Sequence, residues 1–185
     1  MIRCLLLGGV AVVASCALPS RASAADAPTQ AEARTRECLL AAADAHRLPP
    51  AMLVVLLKVE GGRLGHVSQN NNDTVDIGPM QVNTIWVTKI AARWRTTPAA
   101  AYLALRDNLC ANLEGGAWIL ARALAEAKGD FWGGVAIYHS HKPEHQGRYL
   151  RLVLAATRRL QDQAGHAPPA TPPVAAAPAR VASRG

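Results

Sequence analysis

The segment PAMLVVLLKVEGG, residues 50–62, constrains the fold more than any other part of the chain. Pro50 suits the opening turn of a helix, where its missing N–H leaves no bond unmade, and Gly61-Gly62 suits the end of one. The helix between them is apolar nearly all round, so it needs neighbours on several sides and is expected in the interior. Those neighbours are expected to be helices too. Half of the 185 residues are hydrophobic, only 4% are aromatic, and alanine, leucine and valine carry most of the apolar fraction, a composition that favours helix over sheet. The expectation is an all-α domain with a single core, because this length allows one domain plus extensions.

The extensions lie at the two ends. Residues 1–24 read as a signal peptide: a positive start (MIR), an apolar stretch too short to span a bilayer (CLLLGGVAVVA), and the small-x-small ending Ala22-Ser23-Ala24. This predicts export to the periplasm and cleavage after Ala24. A second reading stays open, in which Val13-Ala14-Ser15-Cys16 serves as a lipobox and leaves a membrane-anchored lipoprotein with its lipid on Cys16. Residues 25–34 read as a polar, alanine-rich lead-in, 35–160 as the domain, and 161–185 as a proline- and alanine-rich tail with too little apolar surface to fold.

Export changes the meaning of the cysteines. Cys4 and Cys16 fall in the leader, and the remaining pair, Cys38 and Cys110, is predicted to form a disulfide in an oxidising compartment. With two cysteines and no CxxC, neither a zinc nor a redox site is indicated. The net charge is +7, and without Arg3 and Arg21 the remaining 18 basic and 13 acidic residues leave +5. A moderately basic chain suits acidic polymers, among them a cell-wall glycan bearing carboxylate-rich peptides. No lysine or arginine run and no basic aromatic patch appears, so nucleic acid is not the expected partner.

Along the chain, Cys38, Leu39, Ala42 and Ala45 recur at helical spacing until Pro49-Pro50 interrupts them. Residues 63–75 lose periodicity and hold the turn-forming SQNNNDTVD, read as a surface loop. Gly78-Pro79 is expected to open a helix to about Ala92, with Met80, Ile85 and Trp86 inward. Thr97-Pro98 starts a short helix, and Asp107 or Asn108 caps a long one to about Lys128. The interior Gly115-Gly116 of that long helix implies close approach by another helix. DFWGGVAIY and RYLRLVLAATRRL complete the set, the first buried and the second amphipathic.

Three places could carry chemistry. Glu60 ends the apolar helix, where lost hydration favours a neutral, proton-donating carboxyl, while the glycines behind it leave room for a ligand. The bland alternative is a helix-end glutamate turned to water or paired with Arg63. In DIGPMQVN, residues 76–83, Gln81 and Asn83 could orient a polar ligand and Met80 could floor a groove, although capping by Asp76 and core packing by Met80 account for the same residues. In AIYHSHKPEH, Tyr138 ends a buried segment and His139, His141 and His145 follow. His-x-His-x3-His could bind a metal, but no second ligand set accompanies it, and neither a metal nor a cofactor is expected.

In this order and at this spacing, the three pieces resemble the soluble lytic transglycosylase domain of the lysozyme-like superfamily, glycoside hydrolase family 23. Most similar are its small members that accompany conjugation, type III or type IV secretion, or type IV pili. The resemblance spans about residues 36–158 and implies a helical fold like that of goose-type lysozyme. It implies Glu60 as the catalytic acid, Gly78 and Met80-Gln81 as the Gly-Leu-Met-Gln segment, and Tyr138 as the tyrosine that contacts the glutamate and the glycan. Asn83 and His139 are implied as further glycan contacts, and Cys38–Cys110 as the disulfide of the secretion-associated members. Three positions depart from the pattern. Gly61 replaces a common serine, Pro79 a leucine, and His139-Ser140 the usual Asn-x-Gly. These departures bear on substrate contacts rather than on proton transfer.

The activity so implied is cleavage of the MurNAc-GlcNAc β-1,4 bond of peptidoglycan glycan strands with formation of 1,6-anhydro-MurNAc, opening the wall locally for an envelope machine whose secretion or pilus components would be partners. Two other expectations stand beside it: a lysozyme-type muramidase in which Asp73 or Asp76 activates water, and an inactive wall-binding module.

Overall fold

The computed structural model describes residues 29–166, and over them the chain is predominantly helical, as expected of an all-α domain. The expected signal peptide, the alternative lipobox at Cys16, residues 25–28 of the lead-in and residues 167–185 of the tail lie outside the described residues. Helix α1 (Gln30–His46) is joined through Pro49 to α2 (Pro50–Glu60) at an angle of 119°. Three short strands follow, β1 (Val67–Gln69), β2 (Val75–Ile77) and β3 (Val82–Asn83), then a single 3-10 turn (Thr84–Trp86). Helices α3 (Val87–Trp94), α4 (Pro98–Asp107), α5 (Leu109–Glu126), α6 (Phe131–His139) and α7 (Pro143–His166) complete the chain.

Helix α5 is the central column, packed against α1, α4 and α6, while α2 lies between α1 and α7. Leu53 and Leu56 of α2 and Leu113, Ala117 and Leu120 of α5 are fully buried. Helix α2 is not enclosed all round: Lys58 is exposed and Val54, Leu57 and Val59 are half-buried, because α7 covers only part of it. Cys38 and Cys110 are bonded, tying α1 to α5 across 72 positions of sequence. A loop of that length restricts the unfolded chain by about 4 kcal/mol in the chain-entropy model. Cys38→Ser with Cys110→Ser is therefore expected to lower the melting temperature by about 10 °C, measurable by calorimetry.

Several boundaries differ from expectation. The lead-in is already helical from Gln30, since Thr29 and Glu32 form a reciprocal capping box, with the Glu32 carboxylate accepting from Thr29 N–H at 2.8 Å. The first six tail residues continue α7 to His166 as an exposed extension of that helix. The largest difference is at residues 67–86. The loop and the helix expected from Gly78 are instead a three-stranded antiparallel sheet in the order β1-β2-β3, pairing Ser68 with Asp76 and Asp76 with Asn83. Period-2 alternation over so few residues carries almost no signal, and the hairpin is held by contacts distant in sequence.

One such contact is Asn112, a fully buried amide on α5. Its Oδ1 accepts from Met80 N–H at 2.7 Å, and its Nδ2 donates to the carbonyls of Ile77 at 2.8 Å and Leu105 at 2.9 Å. One side chain thus binds the β2–β3 turn and the end of α4 to the central helix. Gly78 sits over it at φ +65, and a Cβ there would collide with Asn112 Nδ2 and Leu105 O. Gly116, expected to admit a helix, instead admits Met80, whose side chain occupies the space a Cβ would take.

Candidate active site

Glu60 occupies the last position of α2, which stops there because Gly61 adopts the left-handed conformation (φ 62, ψ 14) and closes the helix with a bond to Leu57 O. The chain then turns tightly under the hairpin, and a Cβ on Gly62 would strike Gly78 O and Gln81 Nε2. The two glycines therefore have separate duties. Only Gly61 borders open space, and Gly62 is pressed against the β2–β3 turn.

The Glu60 carboxyl faces a groove of about 770 Å³. Its far wall is the hairpin tip, where Asn70, Asn72 and Asn83 are organised around the Thr74 hydroxyl. Asp76, Gln81 and Trp86 also line the groove, as do Tyr138, His139 and Lys142 at the junction of α6 and α7. Arg63 makes no ion pair with Glu60. The partner of Glu60 is Tyr149 on α7, a buried residue whose hydroxyl donates to Oε1 at 2.6 Å.

Burial raises the Glu60 pKa from 4.5 to about 7; the Tyr149 hydrogen bond pulls it down, and the nearby Asp76 charge pushes it up again. At neutral pH a substantial fraction of the carboxyl keeps its proton, the state required of a general acid. Burial beside Glu60 likewise raises both tyrosine hydroxyls, so they remain protonated donors. His139 stacks on the Tyr149 ring at 4.3 Å between centroids, and burial, then the neighbouring His145, lowers its pKa against an opposing effect of Asp76.

The residues singled out in the sequence divide into two groups. Glu60, Gln81, Asn83, Tyr138 and His139 line the groove. Gly78 and Met80 do not; both are buried behind it, Met80 in the slot above Gly116, so their contribution is to shape the turn rather than to touch a ligand. Asn83 is also committed to the protein: its Nδ2 donates to Thr74 Oγ1 at 3.0 Å and to Asp76 Oδ1 at 2.7 Å, while its Oδ1 caps the 3-10 turn at Ile85 N–H. Gln81, at φ 48, donates to Gly78 O at 2.9 Å.

Tyr138 does not make the glutamate contact expected of it. Its hydroxyl donates to Met80 O at 2.9 Å and clamps the turn, and Tyr149 takes the place beside Glu60. Tyr149 was hidden inside the amphipathic pattern of α7, where a buried tyrosine is indistinguishable from core. Asp76 lines the groove with Glu60, whereas Asp73 sits exposed on the hairpin tip at φ 60. His141 turns to Glu126, with its Nε2 3.0 Å from Oε1.

These contacts set the pH response. Activity carried by a protonated Glu60 is expected to fall about tenfold per pH unit above about 7. Tyr149→Phe removes the bond that favours the ionised form and should move this limb to higher pH. Asp76→Asn removes a charge that disfavours it and should move the limb lower. Rate–pH profiles of the two variants check both directions; shifts in the same direction are incompatible with the arrangement.

No protein-family model matches the chain, and no curated protein matches it either.

Proposed function

We propose that the chain is a lytic transglycosylase with a lysozyme-like fold, cutting the MurNAc-GlcNAc β-1,4 bond of peptidoglycan in the periplasm and leaving a 1,6-anhydro-MurNAc end. The observation that carries this reading is Glu60, a largely desolvated carboxyl with its pKa pushed up to about 7, held by Tyr149 in a groove lined by polar and apolar side chains. A groove lined by amides, hydroxyls and a tryptophan suits a glycan, which offers hydroxyls to the amides and sugar faces to the ring.

In the reaction, Glu60 gives its proton to the glycosidic oxygen as the bond from that oxygen to the anomeric carbon breaks. The acetamido group of the same sugar supports the positive anomeric centre. The sugar's own 6-hydroxyl then attacks that carbon, and its proton passes to Glu60, which returns to its starting state. No water is consumed and no second carboxylate is required, in contrast to the paired carboxylates of ordinary glycosidases. Gln81 and His139 face the glycan directly, and Tyr138 and Asn83 hold the walls in place. Opening of the wall for a secretion, conjugation or pilus machine is the role proposed for this activity.

Asp76 supports a second reading. It lies in the same groove, close enough to raise the Glu60 pKa, and would activate water in a muramidase. Mass spectrometry of digested peptidoglycan separates the two. Anhydro-ended muropeptides, lighter than the hydrolysed products by one water, are expected. Only hydrated ends, with all activity lost in Asp76→Asn, would establish the muramidase. Intact glycan after prolonged incubation would remove both.

A further inference from the structure

Where the groove meets α3 and α5, two indole rings carry a set of cations. Trp86 and Trp118 meet edge to face with centroids 5.8 Å apart, and Trp86, Ile85 and Ile119 line the same groove as Glu60. Lys89 Nζ stands 4.7 Å from the Trp86 centroid, and Arg122 Cζ 6.0 Å from Trp86 and 5.2 Å from Trp118. Arg93 lies 5.9 Å from Trp118, but Glu114 already neutralises it at 3.3 Å. Lys89 and Arg122 have no carboxylate within 4.0 Å among the described residues, although two positive charges drawn to one ring repel each other. Both are exposed, come from separate helices and stand within 6.0 Å of the centroid of Trp86, which lines the groove.

We infer that Lys89 and Arg122, seated on Trp86, form an anion subsite for the carboxylates of the short acidic peptides attached to a glycan strand lying in the groove. The inference rests on reading the groove as a peptidoglycan site and adds a preference to it: glycan bearing its peptides is bound in favour of bare glycan. Charge complementarity and continuity with the groove through Trp86 select this occupant. Peptide carboxylates supply the counter-charge that no described residue places within 4.0 Å of either cation, and the indole rings offer apolar surface to the aliphatic part of a peptide.

The test uses the full chain with Glu60→Gln, so that substrate is not consumed, and two soluble probes: uncross-linked glycan strands with their peptides, and the same strands after enzymatic removal of the peptides. Peptide-bearing strands are expected to bind about fivefold to tenfold more tightly at low salt, with the difference shrinking as ionic strength rises. Adding Lys89→Gln and Arg122→Gln should abolish the difference while leaving affinity for bare strands and the melting temperature unchanged. Arg122→Lys, which keeps the charge, should retain most of it. Equal binding of the two probes, or an undiminished preference in the double variant, would overturn the subsite and leave the proposed reaction standing. Failure to bind either probe would overturn both.

Discussion

Glu60→Gln is expected to abolish glycan cleavage, lowering the rate by about a thousandfold or more, while making the protein more stable in alkaline solution. The first effect follows from removing the proton that the leaving oxygen receives in the proposed reaction, since a positioned general acid contributes on the order of 10² to 10⁴ and would act there in both halves. The second follows from burial. Below pH 4.5 the carboxyl is protonated in the folded and unfolded chain alike, and the substitution should change stability little. Between 4.5 and about 7 the unfolded chain loses the proton that the folded chain keeps, so wild-type stability falls as pH rises. Above about 7 the full penalty stands, roughly 3 kcal/mol for a shift of this size. A neutral amide escapes it and still accepts from the Tyr149 hydroxyl. Denaturation at pH 4 and pH 8, beside a turbidity assay on purified walls, measures both. Unaltered wall clearance by Glu60→Gln would remove the catalytic role, and equal stability gains at the two pH values would remove the burial argument.

Asn112→Ala is expected to be the most damaging substitution outside the groove. It leaves Met80 N–H and the carbonyls of Ile77 and Leu105 buried without their partner. At about 1 to 3 kcal/mol for each unsatisfied group, the total is about 5 kcal/mol, a large share of the stability of a domain of this size. Activity should fall even where the fold survives at low temperature, because the turn that Asn112 holds carries Gln81 against Gly62, two residues beyond the end of α2. Asn112→Asp keeps the acceptor but supplies no donor, and buries a charge, so it should not rescue. Urea denaturation gives the stability loss. A cost below about 1 kcal/mol would mean that the hairpin is anchored elsewhere.

How far the sequence reveals this molecule can be judged residue by residue. The ends of α2 were legible because proline and glycine act locally, and so were the Thr97 cap and, as one of two adjacent candidates, the Asn108 cap, whose side chains bond to backbone three residues on. Glu60 was legible as a candidate acid from the apolar run leading to it. Its partner was not: Tyr149 lies 89 positions away, and local spacing does not encode such a distance. Nor was the hairpin, whose strands are two or three residues long and whose inner surface is set by Asn112 and Met80. An asparagine in the interior of a helix looks like a solvated polar residue until the carbonyls around it are known.

Helix content, the buried α2 and the placing of one carboxyl at its end were determined by the sequence itself, because propensity, capping and side-chain periodicity act within a few residues. The Cys38–Cys110 bond was also legible, since reading residues 1–24 as a leader sets Cys4 and Cys16 aside and leaves one pairing. The character of that carboxyl was decided only by the tertiary structure. Its pKa depends on how much water α7 and the hairpin exclude, on the hydroxyl that α7 brings to 2.6 Å and on the charge that β2 brings near. Desolvation and Coulomb effects depend on distance in space, and chain folding alone sets that distance.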